Sequence, residues 1–338
     1  MGDDREKYVE KLLAEINKWG VRTARPINSI YFGGGTPSLL SGSEIKAIMS
    51  AINDSFNITD DCEVTCEVNP NSADGFLKDA ILAGVNRISI GIQSANNEEL
   101  EKLGRLHSFE EAENTFKKAR GLGIKNISAD IMLGLPGSNI TTLKTSIERI
   151  LALNPNHISA YILKIEENTY FYKIKDSLSL PCDDDIAQQY LFLCDTLKQF
   201  GYEHYEISNF ALDSFESRHN NKYWQCEEYI GIGPSAHSFF EGKRFYYSNS
   251  LKDFLEEKEP VFDSFGGDKE EYIMLRLRLS KGLEFNEYKS LFNEDLDESV
   301  IKKAKILEKN GLCKVTKDRI FLTDQGMLVS NSVILNLL

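Results

Sequence analysis

Apolar residues in the first half of the chain change spacing repeatedly. Tyr8, Leu12, Leu13, Ile16 and Trp19 lie on one face of a helix, and Ser29 to Phe32 then reads as a short strand running into Gly33, Gly34 and Gly35. Ser41 followed by Glu44 has the form of a capping box, and the stripe Ile45, Ile48, Met49 and Ile52 marks the helix it opens. Further strands are predicted at Cys62 to Glu67, Arg87 to Gly91, Asn126 to Met132 and His157 to Leu163. Helical stretches separate them, such as Phe109, Ala112, Phe116 and Ala119 behind a second capping box formed by Ser108 and Glu111. Strands alternating with helices at this spacing predict βαβ units and a mostly parallel sheet, open or closed into a barrel.

The alternation lapses after about Glu166. A helix striped by Ile186, Tyr190, Leu193 and Leu197 is expected there, capped by Asp183 or Asp184. The C-terminal part reads as helices at Tyr272 to Leu279, Glu284 to Phe292 and Ser299 to Asn310, then Gly311 and two short strands around Cys313 to Val315 and Arg319 to Leu322. That order resembles a winged helix. The expected domains are therefore 1–166, 167–266 and 267–338.

Composition narrows the function classes. The 338 residues carry 39 basic and 52 acidic side chains, a formal net charge of −13, and residues 268–338 carry twelve of each. Neither the whole chain nor its winged-helix-like module has the positive excess that nucleic acid demands. No apolar run approaches the ~18 residues of a membrane span, and the start MGDDREKYVEKLL lacks the apolar core of a signal peptide. The six cysteines, at 62, 66, 182, 194, 226 and 313, are too sparse for a secreted disulfide framework. A reducing, cytosolic setting is expected.

In parallel β/α barrels ligands gather at the C-terminal ends of the strands. Here the first visible strand ends in Gly33-Gly34-Gly35-Thr36-Pro37, the second in Glu67, the third in Gln93, the fourth carries Asp130 and the fifth runs to Lys164. Consecutive glycines let a backbone approach a ligand and offer it amide donors. The run fits neither GxGxxG nor a GxxxxGK[ST] phosphate loop, which disfavours a nucleoside triphosphate. Read singly, the glycines also suit a turn, Glu67 and Asp130 suit capping or salt bridges, and Arg105 suits a solvated helix. Their joint placement is what points to a binding rim.

The stretches YFGGGTPSLL, CEVNP, SIGIQS, LGRLHS, DIMLGLPG and HISAYILKIEENT resemble, in order over almost the entire chain, the radical S-adenosylmethionine enzymes related to oxygen-independent coproporphyrinogen III oxidase. Within that family ESRHNNKYW and YIGIGPSAHSFF resemble the HemW branch of haem chaperones. The resemblance implies an α/β fold: a partial (β/α)6 TIM-like radical SAM barrel with its first strand missing, an α+β middle domain and the winged-helix-like C-terminal module. It implies that Gly34, Gly35 and Thr36 contact the methionine end of S-adenosylmethionine, that Arg105 suits its carboxylate, and that Glu67, Gln93 and Asp130 bond its ribose and nearby polar atoms. Lys164 occupies a family contact position to which no role is assigned. It also implies haem as a ligand, with His219 the leading contact, Tyr223 and Trp224 as apolar surface, His237 as the rival ligand, and haem-requiring client proteins as partners. His107 is expected near the rim, whereas His157 and His204 carry no distinguishing context. The expected function is that of a haem chaperone; the alternatives are anaerobic coproporphyrinogen III oxidation and an inactive, cluster-free paralogue.

One departure from the family matters. Its [4Fe–4S] cluster needs a CxxxCxxC loop, and none is present. Cys62 and Cys66 have the first spacing, but Asn69 stands at the third position, and four residues along a strand span about 13 Å. No metal ligands and no radical catalysis are therefore expected of this chain, and the cluster is expected only in a complete one. In the family the loop follows the first barrel strand. The chain is accordingly read as truncated before residue 1, the alternative being a natural cluster-free relative, and the loss of an edge or closing strand would expose a neighbouring strand.

Overall fold

A computed structural model describes residues 2–73, 75–167 and 169–338. Five parallel strands, β1 (Ile27–Phe32), β2 (Ile58–Val68), β3 (Arg87–Gln93), β4 (Asn126–Leu133) and β5 (His157–Ile162), follow one another across a sheet in chain order. Ser41 and Ser108 each accept a hydrogen bond from the backbone of the glutamate three residues on and receive its carboxylate in return. Both predicted capping boxes are thus present. Asn139 caps helix Ile140–Leu151 in the same way with Thr142 as its partner, a box that the Ser/Thr-to-Glu pattern does not reveal.

Alternation along each strand sorts the sheet into two unlike faces. On the convex face Cys62, Val64, Cys66 and Val68 of β2, Ile88, Ile90 and Ile92 of β3, and Ile127, Ala129, Ile131 and Leu133 of β4 pack in one buried core with Phe76, Phe109 and Phe116 of the surrounding helices. On the concave face the alternate positions are Glu63, Thr65, Glu67, Arg87, Ser89, Ser128, Asp130, His157 and Ser159. A closed barrel fills its interior with branched apolar side chains. This one holds a polar bowl instead, with Glu67 beside Ser89, and Gly91 beside Asp130 beside Ser159.

Among the described residues β1 has a strand partner on one side only, as the sheet order opens on it. At the other end two strands unforeseen in the sequence extend the sheet: β6 (Glu203–Glu206) pairs with β7 (Asn209–Ala211), and β7 runs antiparallel to β5. Their three- and four-residue lengths carry too little alternation to register as a pattern. A second correction concerns the preceding helix, Asp183–Gln199. Its N-cap is Cys182, with Asp183 and Asp184 inside the first turn, where carboxylates favour the helix dipole.

Antiparallel strands β8 (His237–Phe240), β9 (Lys243–Tyr246) and β10 (Val261–Phe265) form a small sheet against helix Gly2–Arg22, whose Trp19 stacks on Phe245 and meets Phe240 edge-on. The C-terminal module sets helices Lys269–Arg276, Phe285–Phe292 and Glu298–Lys309 against a sheet of β11 (Leu283–Glu284), β12 (Cys313–Val315) and β13 (Arg319–Leu322), ordered β11-β13-β12. No described helix is long and apolar enough to cross a membrane.

Glu206, at the end of β6, is buried, and desolvation pushes its carboxyl pKa up to about 7. The folded state therefore holds this proton more tightly than the unfolded chain. Its contribution to stability falls as pH rises from about 4.5 to about 7 and is flat above that. Glu206→Gln keeps an oxygen for the Ser208 amide, which Glu206 accepts at 3.2 Å. It is expected to stabilise the protein by about 1–3 kcal/mol at pH 8 and to change little at pH 4. Urea unfolding at both pH values checks this, and equal effects at the two would refute it.

Candidate functional site

The glycine run after β1 reaches over the bowl. Gly34 has φ +94, and a Cβ on Gly34 or Gly35 would meet nothing within 4 Å, so both present bare backbone to open space. Gly33 is enclosed: a Cβ there would lie 2.8 Å from Glu67 Oε1. The Gly34 amide donates to Glu67 Oε2 at 3.2 Å, and the Tyr31 hydroxyl donates to Glu67 Oε1 at 2.9 Å. Glu67 is thus brought directly to the glycines. Thr36 follows as the residue before the short helix Pro37–Leu39.

Gln93 closes β3 with φ +68, a conformation that a non-glycine residue adopts at a cost of order 1 kcal/mol. Its side chain lies back over Gly91, where an added Cβ would sit 3.0 Å from the amide nitrogen. Gly91 in turn is beside Asp130. Asp130 lies a layer below the rim, three residues before the end of β4, and accepts from Ser89 at 2.7 and 2.9 Å and from Ser128 at 3.1 Å. Enclosure in the bowl raises its carboxyl pKa. Three of the five predicted rim positions, Gly33 to Gly35, Glu67 and Gln93, thus cluster at one end of the bowl, while Asp130 supports them from below.

Arg105 stands in the loop after helix Asn97–Lys102. His107, two residues on, is buried with Nε2 3.4 Å from the Ile92 carbonyl, which ties this loop to the end of β3. The Arg105 guanidinium is half-buried, has no hydrogen-bond or ion-pair partner among the described residues, and has its pKa lowered by desolvation. A cation enclosed without a partner is poised for an incoming anion. Lys164 lies apart from this arrangement, exposed and paired with Glu166 at 2.7 Å.

Beside the rim a groove of about 790 Å³ runs along the unpaired edge of β1, between helix Gly2–Arg22, helix Arg218–Trp224 and β8. Gly33 and Gly34 stand at one end, Phe32 and Phe240 give it apolar wall, and both His219 and His237 line it. The two histidines differ. His219 is clamped: Nδ1 is 3.1 Å from Ser29 Oγ, Nε2 is 2.8 Å from the Tyr223 hydroxyl, and the ring stacks on Tyr31 at 5.0 Å. Burial pushes its pKa down to about 4, so the ring is neutral. His237 is exposed and stacks on Tyr246, and neither ring nitrogen has a hydrogen-bond partner among the described residues. Tyr223 lines the groove, whereas Trp224 lies under the Arg278 guanidinium, 4.9 Å from ring centre to charge, and outside it.

Sequence reasoning missed Tyr31, Ser29 and Ser89, whose roles come from cross-strand neighbours, and it missed the setting of His157. That ring is buried, with Nδ1 2.8 Å from Ser128 Oγ and Nε2 2.8 Å from the Tyr205 hydroxyl. The signal available was the polar alternation in Glu63-Val64-Thr65-Cys66-Glu67, which marks a strand face that cannot be an apolar barrel interior.

This fold is that of a radical S-adenosylmethionine barrel: residues 1–150 match the model of the radical SAM superfamily, and residues 269–329 match that of the HemN C-terminal domain. Heme chaperone HemW of Bacillus subtilis is 34% identical over 341 residues, covering 97% of this chain and 90% of that protein. Heme chaperone HemW of Escherichia coli K12 is 34% identical over 347 residues, covering 97% and 89%. The chain belongs to the HemW family of heme chaperones. The solved structure of coproporphyrinogen III oxidase HemN from Escherichia coli, a radical SAM enzyme, has the same fold, with a TM-score of 0.84 at 21% identity over 98% of this chain and 82% of that one.

The superfamily implies S-adenosylmethionine and an iron–sulfur cluster. The open glycine backbone and the unpartnered Arg105 suit the first. The cysteines do not suit the second. Cys62 and Cys66 are buried on the convex face, away from the bowl, with thiols pushed up to about 11 and about 12 by burial. Of the other four, Cys182 caps the helix that carries Cys194 twelve residues further on, and Cys226 and Cys313 lie elsewhere in the chain, so no described set of three can hold a cluster.

Proposed function

We propose that the chain is a haem chaperone of the HemW type, which holds haem in the groove beside β1, binds S-adenosylmethionine at the glycine rim, and passes haem to a haem-requiring client in the cytosol. The observation that carries this reading is a single groove, of a size usual for cofactor sites, that is lined by two histidines and ends at Gly33 and Gly34. Neutral imidazole ligates haem iron, and His237 is the better placed of the two because its nitrogens are uncommitted, whereas His219 must release Ser29 or Tyr223 first. Arg25 and Lys222 also line the groove, paired with Glu228 and Glu227, and suit the two carboxylates of a porphyrin. At the rim Gly34 and Gly35 offer backbone to the methionine end of S-adenosylmethionine, Arg105 takes its carboxylate, and Glu67, Gln93 and Asp130 accept from hydroxyl or amino groups. Thr36 sits beside the glycines in the same role. Lys164 has no part in this reading. When bound, S-adenosylmethionine with a cluster would supply radical chemistry, and no step of it is assigned to the residues present.

Titration of the purified protein with haemin, followed by the Soret band, tests the assignment. A saturable shift is expected, with affinity reduced at least about tenfold in His237→Ala and less in His219→Ala. A shift untouched by the double replacement would remove these ligands, and no saturable shift at all would remove haem binding. Decarboxylation of coproporphyrinogen III by the protein would favour an oxidase instead.

A further inference from the structure

Three side chains that serve neither the rim nor the groove meet where the barrel sheet touches the C-terminal module. Cys194 comes from helix Asp183–Gln199, His204 from β6, and Asp324 opens the short helix Asp324–Leu328 that follows β13. Their ligating atoms all lie within 4.8 Å of one another. His204 Nδ1 is 2.9 Å from Asp324 Oδ1 and 4.0 Å from Cys194 Sγ, and the ring is held flat against Phe210, 4.2 Å between centres.

The other ring nitrogen fixes the proton. His204 Nε2 faces the Ile207 carbonyl at 3.3 Å and the Tyr190 hydroxyl at 3.4 Å, and that hydroxyl donates to the same carbonyl at 3.0 Å. A carbonyl oxygen only accepts, so Nε2 carries hydrogen. In the neutral ring Nδ1 then points a lone pair at a carboxylate oxygen, with a thiol sulfur alongside. Such a convergence of acceptors calls for a cation between them, either a second proton on the ring or a metal ion. An imidazole that ligates metal through one nitrogen and donates to a backbone carbonyl through the other is the usual arrangement in metal sites.

The donor set selects the metal class. Thiolate, imidazole and carboxylate together suit zinc, and three protein ligands leave a fourth position for water. Asp324 is half-exposed, so water reaches that position, while Cys194 closes the site from within. We propose that Cys194, His204 and Asp324 bind one divalent cation of the zinc class, which fastens the C-terminal module to the barrel sheet. On binding, the Cys194 thiol proton goes to solvent and the sulfur coordinates as thiolate.

Cobalt(II) is the probe, added to chelator-treated full chain in which the exposed Cys182 has been replaced by serine. One equivalent is expected to produce a thiolate-to-cobalt charge-transfer band and the visible bands of tetrahedral cobalt, both bleached by zinc. Cys194→Ser should abolish the charge-transfer band, and Asp324→Asn should weaken binding at least about tenfold. Zinc should raise Tm in the parent and not in Cys194→Ser. A plain His204–Asp324 ion pair predicts no cobalt spectrum and no effect of zinc. That outcome, or a charge-transfer band surviving Cys194→Ser, would overturn the proposal.

Discussion

Arg105→Ala is expected to weaken S-adenosylmethionine binding by about 30- to 100-fold, because a charge-assisted hydrogen bond to a carboxylate is worth roughly 2–3 kcal/mol. Arg105→Lys keeps the charge but loses the planar fork, and should fall by about tenfold. Stability should not follow affinity. Arg105 is half-buried and has no partner among the described residues, so its removal relieves a desolvated charge, and Tm should stay level or rise slightly. Calorimetric titration of S-adenosylmethionine into each variant, beside thermal unfolding of the same samples, separates the two effects. Unchanged affinity in Arg105→Ala would show that the ligand carboxylate is held elsewhere on the rim. A fall in Tm of several degrees without ligand would make Arg105 a structural residue instead.

The five parallel strands were legible because each couples an alternating pattern to a helix with a clear stripe, and the boxes at Ser41 and Ser108 fixed where two of those helices begin. The rim was legible for a related reason: in a parallel sheet the strand ends lie together, so Gly34, Glu67 and Gln93 could be brought together from one-dimensional order alone. What stayed hidden depends on distance along the chain. The groove joins residues as far apart as Leu12 and Phe240, and the Asp324 carboxylate that meets His204 is 120 positions away. No local spacing encodes such meetings. The second follows from how β6 and β7 extend the sheet toward the C-terminal module, and those strands are too short to show a period; the first follows from how helix Gly2–Arg22 and β8 pack beside the opposite edge, at β1. Asp130 illustrates an intermediate case. Its place on β4 was readable, but its depth below the rim was not, since that is set by register against Gly91 and Ser159.

The polar bowl also buries a full positive charge. Arg87, the first residue of β3, is almost fully buried with Nε 4.0 Å from Glu63 Oε2, an ion-pair contact without a hydrogen bond, and its charge also acts on Asp130 of the next strand. Glu63 is buried too, and its Oε1 accepts the backbone amide of His219 at 3.2 Å, which ties the groove's clamped histidine to the bowl. Replacing Arg87 by methionine fills similar volume but leaves the Glu63 carboxylate buried without its cation. Removing one partner of a buried pair costs about 3–5 kcal/mol, so Arg87→Met should lower stability by that amount at pH 7. Adding Glu63→Gln to it removes the stranded charge while keeping an oxygen for the His219 amide, and should recover more than half of the loss. Urea unfolding of the four proteins gives the coupling between the two positions directly. A cost below about 1 kcal/mol for Arg87→Met, or a double variant no more stable than that single one, would mean that water rather than Arg87 neutralises the carboxylates of the bowl.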